Sequence, residues 1–188
     1  MPPPLPLTAV PDIALLHTAR LVLRRPVPGD AAAYLAIFGD PATNLFNPVP
    51  PLRDLAAARE ALARRIAHWE LAGHGLWAIA TRARPDALLG FGGLSTRHFD
   101  DVERTNLGFR FAPSAWGRGY ATELARTSAN IGWHLLQLDE LWAVVHEDHA
   151  ASRRVLEKAG MTPVARVLGE DGHSHDIRYR LRSPYAAP

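Results

Sequence analysis

The chain has 188 residues, of which 47% are hydrophobic and 21% charged, and it contains no cysteine. This length and apolar fraction fit one globular domain and exclude collagen, low-complexity disorder and disulfide scaffolds. We expect a cytoplasmic protein that does not enter membranes, since no apolar run approaches the roughly 20 residues of a membrane-spanning helix and no cysteine points to an oxidising compartment. The 21 basic and 19 acidic residues leave a formal net charge of +2, which argues against nucleic acid as the main partner.

The N-terminal segment, residues 1–14, is rich in proline and predicts an extended arm ahead of a single domain spanning residues 15–188. Apolar residues at strand and helix spacings then predict the elements of the first half of this domain. They are a strand over 21–23, a helix over 30–38, a loop over 40–51, a helix over 52–71, and strands over 76–81 and 88–95 joined by a turn at 84–86.

The second half of the domain continues the alternation of strands and helices. It contains a strand over 106–111, a helix over 120–136, a strand over 141–145, a helix over 150–159, and strands over 164–168 and 177–181. Three consecutive strands favour antiparallel pairing, whereas the strand–helix–strand unit around 120–136 favours one parallel pair. We therefore expect a mixed α/β (α+β) fold with helices on both faces of a mostly antiparallel sheet of about seven strands.

The turn between the strand over 106–111 and the helix over 120–136 carries two closely spaced glycines. Backbone N–H groups at a helix start are unpaired and attract anions. Gly117 and Gly119 remove side chains that would hold a phosphate away, and Arg118 adds a cation. The segment therefore predicts a phosphate or pyrophosphate site, with a simple tight turn as the alternative. Its spacing matches neither the P-loop nor the dinucleotide-binding fingerprint.

Three segments of the chain resemble the GCN5-related N-acetyltransferase (GNAT) superfamily. Trp116–Ala121 is similar to its pyrophosphate loop, Thr18–Arg24 to its opening strand, and Ser152–Met161 to its last core helix and turn. More narrowly, they resemble the RimJ/RimL-like branch, which acetylates the N-termini of ribosomal proteins. The matches follow the family's order across nearly the whole chain.

The resemblance implies that acetyl-CoA binds where two neighbouring parallel strands splay apart, and that an amine attacks its thioester directly. The pantetheine arm would bond to the backbone of the strand ending at Phe111, where a backbone N–H would stabilise the oxyanion. The residues that the resemblance implies for the cofactor are Phe109, Arg110, Phe111, Trp116, Gly117, Arg118, Gly119, Tyr120, Ala121, Thr122, His149 and Ser152.

The chain departs from the family pattern at positions that carry the chemistry. His149 replaces an asparagine that often bonds the pantetheine, Asn106 replaces a carboxylate that acts as base, and Leu156 stands where some relatives have a tyrosine acid. Ser152 is the remaining candidate for stabilising the leaving thiolate, with a helix cap as its alternative role. An N-terminal α-amine, with a pKa near 8, needs little help in losing its proton.

The segment Arg97–Thr105, predicted as a loop, offers substitutes for the missing base. It holds His98 and Glu103 beside two aspartates, and we take these two residues as candidate catalytic bases. The alternative is a solvated acidic loop. The histidine pairs His146/His149 and His173/His175 lack the spacing of metal motifs, so we expect no metal site.

Three functions of different classes remain open. The first is an acetyl-CoA-dependent N-acetyltransferase acting on an amine-bearing acceptor, either a peptide N-terminus or a small amine. The second is a catalytically silent acyl-CoA-binding sensor or interaction module. The third is nucleic-acid or ribosome binding through the face that Arg59, Arg64 and Arg65 share, with a solvated helix face as the alternative.

The acceptor is expected between three loops of the predicted fold. These loops are residues 40–51, 97–105 and 168–175. The aromatic side chains predicted to wall this region are Phe46, Trp77 and Phe99. The last strand carries an arginine face that can meet either solvent or a partner, so a homodimer is a further expectation.

Overall fold

A computed structural model describes residues 12–186 and contains one eight-stranded sheet. Its strands are β1 (Leu15–His17), β2 (Leu21–Arg24), β3 (Leu76–Thr81), β4 (Arg84–Phe99), β5 (Val102–Phe111), β6 (Glu140–His146), β7 (Thr162–Leu168) and β8 (His175–Arg182). Their order is β1-β2-β3-β4-β5-β6-β8-β7, and β5 and β6 form the one parallel pair. The predicted mixed, mostly antiparallel sheet is confirmed. The additional strand is β1, which pairs with β2.

Helices lie on both faces of the sheet, as predicted. They are α1 (Ala31–Phe38), α2 (Pro41–Asn44), α3 (Leu55–Ala72), α4 (Tyr120–His134) and α5 (Ala150–Lys158). The predicted start of α3 at Leu52 is wrong, because the carboxylate of Asp54 accepts the N–H of Ala57 at 2.9 Å and caps the helix. In the same way Asp40 caps α2, which adds one helical turn to the predicted loop.

Two layers of apolar side chains hold these helices against the sheet. Tyr34 of α1 and Leu62 of α3 pack with Phe91 on one face. On the other face, the buried side chains of α4 and α5 pack against Leu94, Leu107 and Leu141. Burying a side chain of this size contributes roughly 1.5–3 kcal/mol, so these contacts fix the positions of the N-termini of α4 and α5.

The hairpin formed by β4 and β5 is longer than predicted at both ends. The predicted turn at 84–86 is wrong, because these residues begin β4 and the chain turns at residues 82–83 instead. The predicted loop over 97–105 is also wrong. These residues form the tip of the hairpin, which turns at Asp100 and Asp101 with φ of 49° and 63°. Polar side chains at the tip hide the strand periodicity, but Phe99 is buried against Trp142 of β6.

The last residues of the predicted arm are tied to the domain. Trp77 donates its Nε1–H to the carbonyl of Ile13 at 2.7 Å, and the N–H of Arg25 donates to the carbonyl of Ala14 at 2.7 Å. The rest of the predicted arm, residues 1–11, lies outside the described residues. Among the helices described, none combines the length and apolar character needed to cross a membrane.

Candidate active site

The strands β5 and β6 separate almost as soon as they meet. Asn106 and Trp142 form their single paired position, whereas β4 and β5 pair from Gly90–Phe111 to Phe99–Val102. The carboxyl ends of β5 and β6 therefore diverge and leave a V-shaped gap, with α4 following one strand and α5 following the other. This gap is the splayed parallel pair that the family resemblance implies.

On the side of this gap, the backbone of β5 beyond Asn106 makes no pairing with β6. The N–H of Ala112 donates to the carbonyl of Leu89 across the β4–β5 ladder at 2.8 Å. Because hydrogen-bonded and non-bonded pairs alternate in an antiparallel ladder, the polar groups of Phe109 and Phe111 face away from β4 and toward the gap. The carbonyl of Phe111 accepts the indole N–H of Trp116 at 2.8 Å.

The N-terminus of α4 lies at the same end of β5. Gly117 and Gly119 have φ of 71° and 75°, a region that disfavours other residues. Gly119 is the N-cap residue and provides no side-chain cap. The first N–H groups of α4 are thus available to an anion, and the partial positive charge of the helix start favours one.

A clamp from the turn between β1 and β2 holds this helix start in place. The carboxylate of Glu123 accepts the hydroxyl of Thr18 at 2.6 Å and the guanidinium of Arg20 at 2.6 Å. Arg20 also donates to the carbonyl of Arg118 at 2.8 Å. Burial opposes the ionisation of Glu123, but these hydrogen bonds outweigh it and lower the pKa of the carboxyl.

Sequence reasoning missed the role of this clamp. Arg20 and Glu123 lie in or next to the segments that carry the family resemblance. Nothing local, however, signals that residues 103 positions apart form an ion pair.

The start of α5 places two polar side chains together on the opposite side of the gap. The Oγ of Ser152 lies 2.9 Å from the Nε2 of His149. The imidazole of His149 stacks on Phe46, with 4.6 Å between the ring centroids. Burial, together with the nearby charge of His146, lowers the pKa of His149, so its neutral form dominates at neutral pH.

Comparison with known proteins agrees with this geometry. A sequence profile for an acetyltransferase (GNAT) domain matches residues 20–162, which is most of the chain. The chain belongs to the GNAT family. It is 25% identical over 173 residues to an uncharacterized N-acetyltransferase, YoaA, of Bacillus subtilis (strain 168), a match covering 91% of this chain and 92% of the relative.

Solved structures show the same GNAT fold at low identity. One is a ribosomal-protein-S5-alanine acetyltransferase from Vibrio fischeri, with a TM-score of 0.72 and 12% identity over 93% of this chain and 99% of that one. Another is a spermidine N-acetyltransferase from Vibrio cholerae in complex with CoA and spermine, with a TM-score of 0.71 and 14% identity over 88% of this chain and 96% of that one. The fold is therefore shared by enzymes with different acceptors.

The two candidate bases of this GNAT protein lie away from the gap. His98 and Glu103 are paired with each other near the tip of the β4–β5 hairpin, and both are exposed. Since side chains alternate along a strand, Glu103 and Asn106 lie on opposite faces of β5. The structure therefore brings neither His98 nor Glu103 to the position where the family places its carboxylate.

Two of the three aromatic residues expected at the acceptor site are instead part of the core. Trp77 is fully buried against Trp69, and Phe99 lies beneath Arg97 and Arg178. Only Phe46 remains at the expected position. It lines a cavity of about 90 Å³ whose other lining residues are Leu45, Asn47, Pro48, His146, Glu170, Asp171, Ser174 and Asp176.

This cavity joins two of the three predicted acceptor loops and has an acidic lining. Burial raises the pKa of Asp176 above its usual value. Asp171 accepts the N–H groups of His173 and Ser174, which lower the pKa of its carboxyl to about 2. Such carboxylates attract a cationic amine. Among residues 12–186, no group of three or more His, Cys, Asp or Glu side chains is arranged to hold a metal ion.

Proposed function

We propose that this N-acetyltransferase moves the acetyl group of acetyl-CoA to a primary amine by direct attack of the amine on the thioester. The observation that carries the proposal is the gap between β5 and β6, where free backbone groups of β5 meet the uncapped N-terminus of α4. Since the chain has no cysteine, no acetyl-cysteine intermediate can form. The known family relationship supports acetyl transfer to an amine.

In this proposal the cofactor binds mainly to the backbone. The pyrophosphate lies against the turn Trp116–Thr122, with Arg118 as a neighbouring cation, and the pantetheine arm bonds along Phe109–Phe111 as an added strand would. The clamp between Arg20 and Glu123 keeps the helix start in place. This arrangement fits the structure, since the glycines leave the backbone open to the close approach of a pyrophosphate.

Asn106 is the proposed contact of the acceptor amine. The residue is 9% exposed, and its Oδ1 accepts no hydrogen bond from any residue described. A buried polar atom without a partner is uncommon and calls for one from outside the protein. An amine N–H bound there would supply it. Asn106 cannot act as a base, so the acceptor must arrive neutral or lose its proton to another group.

Ser152 and His149 are the proposed route for that proton. As the amine nitrogen bonds to the carbonyl carbon, the carbon–sulfur bond breaks and the thiolate takes the hydroxyl proton of Ser152. Neutral His149 takes the proton released by the amine, through water, and its Nε2–H restores the hydroxyl. One proton thus moves from nitrogen to sulfur. Ser152 returns to its starting state, and His149 is left neutral with its proton on Nδ1 instead of Nε2, a tautomer that proton exchange with water resets.

Two measurements test this function. Calorimetric titration with acetyl-CoA should show binding, and a thiol-release assay over a panel of amines should show turnover. Binding without turnover on any amine would instead support the silent acyl-CoA sensor. Absence of binding at millimolar acetyl-CoA would rule out both, and we expect neither of these results.

The finer assignments stay predictions. The RimJ/RimL-like branch is supported by the likeness to a ribosomal-protein acetyltransferase, but a spermidine enzyme is similarly close in fold. A peptide N-terminus as acceptor, the cytoplasmic location and a homodimer are likewise predictions from the sequence. Sedimentation of the purified protein checks the last of these.

A further inference from the structure

Three alternate residues of β5 lie on one face of the sheet and line a partly buried space beside the gap. These are Asn106, Gly108 and Arg110, which alternation places on the face covered by α1. A Cβ added to Gly108 would lie 3.3 Å from the Nδ2 of Asn106, and no other neighbour lies within 4 Å. The glycine therefore leaves space between the amide at one end and the guanidinium at the other.

The guanidinium of Arg110 lacks a counter-ion. Within the described residues it makes one hydrogen bond, from Nη1 to the Oδ1 of Asn44 at 2.8 Å, and no carboxylate lies within ion-pair distance. By contrast, Arg24 on the same side of the sheet donates to both carboxylate oxygens of Asp30, at 2.8 and 2.6 Å. Arginine has five N–H donors, so most of those on Arg110 are unused by the protein.

Its neighbours hold this guanidinium in one position. Its central carbon lies 4.5 Å from the ring centroid of Phe38. Asn44 is buried, and its Nδ2 donates to the carbonyls of Phe38 and Asp40 at 2.9 and 2.8 Å. The Oδ1 that receives Arg110 is therefore fixed. A partly buried, pre-positioned cation without an anion is a receptor for one.

Electrostatics on this face point the same way. Burial lowers the pKa of Arg110, and the positive charge of Arg65 acts in the same direction, while Tyr34 opposes them. A bound anion would offset both the desolvation of Arg110 and the repulsion from Arg65. The planar fork of a guanidinium matches the two oxygens of a carboxylate.

We infer that Arg110 binds a carboxylate of the acceptor while the amine of the same molecule lies at Asn106. The acceptor class is thus an amine that carries a carboxylate several bonds away, such as an ω-amino acid or an acidic residue near a peptide N-terminus. This inference rests on the proposed function, and it names the substrate class of the same site. Asn106 and Arg110 are four steps apart along the strand, which is roughly 13 Å between their Cα atoms.

A series of paired acceptors tests the inference. Glycine, β-alanine, 4-aminobutyrate and 6-aminohexanoate are each compared with their carboxamide, and kcat/KM is measured for acetyl transfer. We expect a preference for at least one carboxylate over its amide of roughly 10- to 100-fold, the range for a charge-assisted hydrogen bond. The preferred chain length reports the distance between the amine and the carboxylate.

Variants assign this preference to Arg110. Arg110→Gln keeps a donor for Asn44 but removes the charge, so the ratio between carboxylate and amide should fall to about one. Arg110→Lys keeps the charge without the fork and should retain part of the preference. Arg59→Gln, an exposed arginine on α3, is the matched control and should keep the wild-type ratio. Circular dichroism confirms that each variant is folded.

The outcomes separate this inference from the proposed function. Acetyl-CoA binding and turnover with equal rates on carboxylates and amides overturn the inference alone, as does a preference that survives in Arg110→Gln. The same assay also includes 2-aminoethyl phosphate as an acceptor. A higher kcat/KM for this phosphate than for every carboxylate would show that Arg110 binds a phosphate and would overturn the carboxylate assignment. Calorimetry of the carboxylates on wild type and Arg110→Gln tests the site even without turnover.

Discussion

The two sides of β5 differ in how much of their hydrogen bonding the protein uses. Toward β4, the strand pairs continuously from Phe111 to Val102; toward β6 it pairs at Asn106 alone. An unpaired strand edge offers its N–H and C=O groups to any extended partner. The ladder with β4 thus stabilises the fold, and the unpaired edge forms part of the proposed site. Three further polar features face the same region: the uncapped helix start of α4, the Oδ1 of Asn106, which has no partner among the described residues, and the guanidinium of Arg110, which has no counter-ion among them.

The largest effect is expected when a side chain is added at the uncapped helix start. Gly119→Val forces a β-branched residue to a φ of 75° and places its branches over the amides that face the pyrophosphate. We expect acetyl-CoA affinity to fall by a factor of about 100 or more, the loss of two to three charge-assisted hydrogen bonds. Isothermal titration calorimetry measures it.

Gly73→Val is the matched control for that strain. Gly73 ends α3 with a φ of 70°, and nothing lies within 4 Å of an added Cβ. Both variants should lose similar stability, but only Gly119→Val should lose the cofactor. Equal affinities in the two variants would show that the helix start does not bind the pyrophosphate.

The second prediction concerns the proton route across the gap. Ser152→Ala should lower kcat by roughly 10- to 100-fold, since a positioned acid is lost. His149→Asn keeps a hydrogen bond to Ser152 but cannot take a proton. Burial, with a contribution from His146, lowers the pKa of His149. In wild type the imidazole is therefore neutral and able to accept a proton above this pKa, and it loses that ability as the pH falls through the pKa.

The rate of His149→Asn relative to wild type should therefore depend on pH. We expect a ratio of about 0.1 near pH 7 that rises toward one as the pH falls through the lowered pKa of His149, because wild type then loses its base too. Taking the ratio cancels the ionisation of the acceptor amine. A ratio that stays constant from pH 8 down to the lowest pH at which both proteins remain folded would leave His149 with a structural role only.

The third prediction tests the clamp that fixes the helix start. Glu123→Gln replaces a carboxylate that accepts hydrogen bonds from Thr18 and Arg20, and we expect a loss of about 1–2 kcal/mol in the free energy of unfolding at pH 7. These bonds lower the pKa of Glu123 in the folded state. Their contribution to stability is therefore complete above the pKa that Glu123 has in the unfolded chain, and it is lost as the pH falls through the lower pKa of the folded state. Urea unfolding at pH 7 measures the loss of stability in Glu123→Gln, and unfolding at pH 3 measures how far that loss shrinks in acid.

A surface ion pair gives the control for this variant. Glu60 and Arg64 form an exposed pair one turn apart on α3, and such pairs contribute little. Glu60→Gln should therefore leave the free energy of unfolding nearly unchanged at both pH values. A Glu123→Gln protein as stable as wild type at pH 7 would contradict the proposed clamp.

Local patterns in the sequence predicted some of these features correctly and others wrongly. The periodicity of Leu107, Phe109 and Phe111 correctly predicted the second half of β5, and the paired glycines correctly predicted the turn before α4, because both signals are local. Pro85 wrongly predicted a turn, since pairing with β3 extends β4 through this proline.

Contacts between distant residues were beyond the sequence pattern. Arg110 and Asn44 lie 66 positions apart, and nothing near either residue indicates the hydrogen bond between them. Their contact depends on α1 packing on the sheet through Phe91, which is a property of the whole domain. The polar tip of the β4–β5 hairpin was missed for a related reason, because its partner Trp142 belongs to a later strand.

The smallest effect on stability is expected from the buried amide in the gap. Asn106 and Asn44 are 9% and 8% exposed, but only Asn44 has both ends of its amide bonded. Asn44→Leu should lower the free energy of unfolding by about 2–3 kcal/mol, whereas Asn106→Leu should change it by less than about 1 kcal/mol, because its Oδ1 makes no bond to lose. The second variant should instead lower kcat/KM for the amine roughly tenfold, the contribution of one hydrogen bond. Urea unfolding and steady-state kinetics on both variants separate these effects. Equal destabilisation by the two would show that Asn106 serves the fold rather than the acceptor.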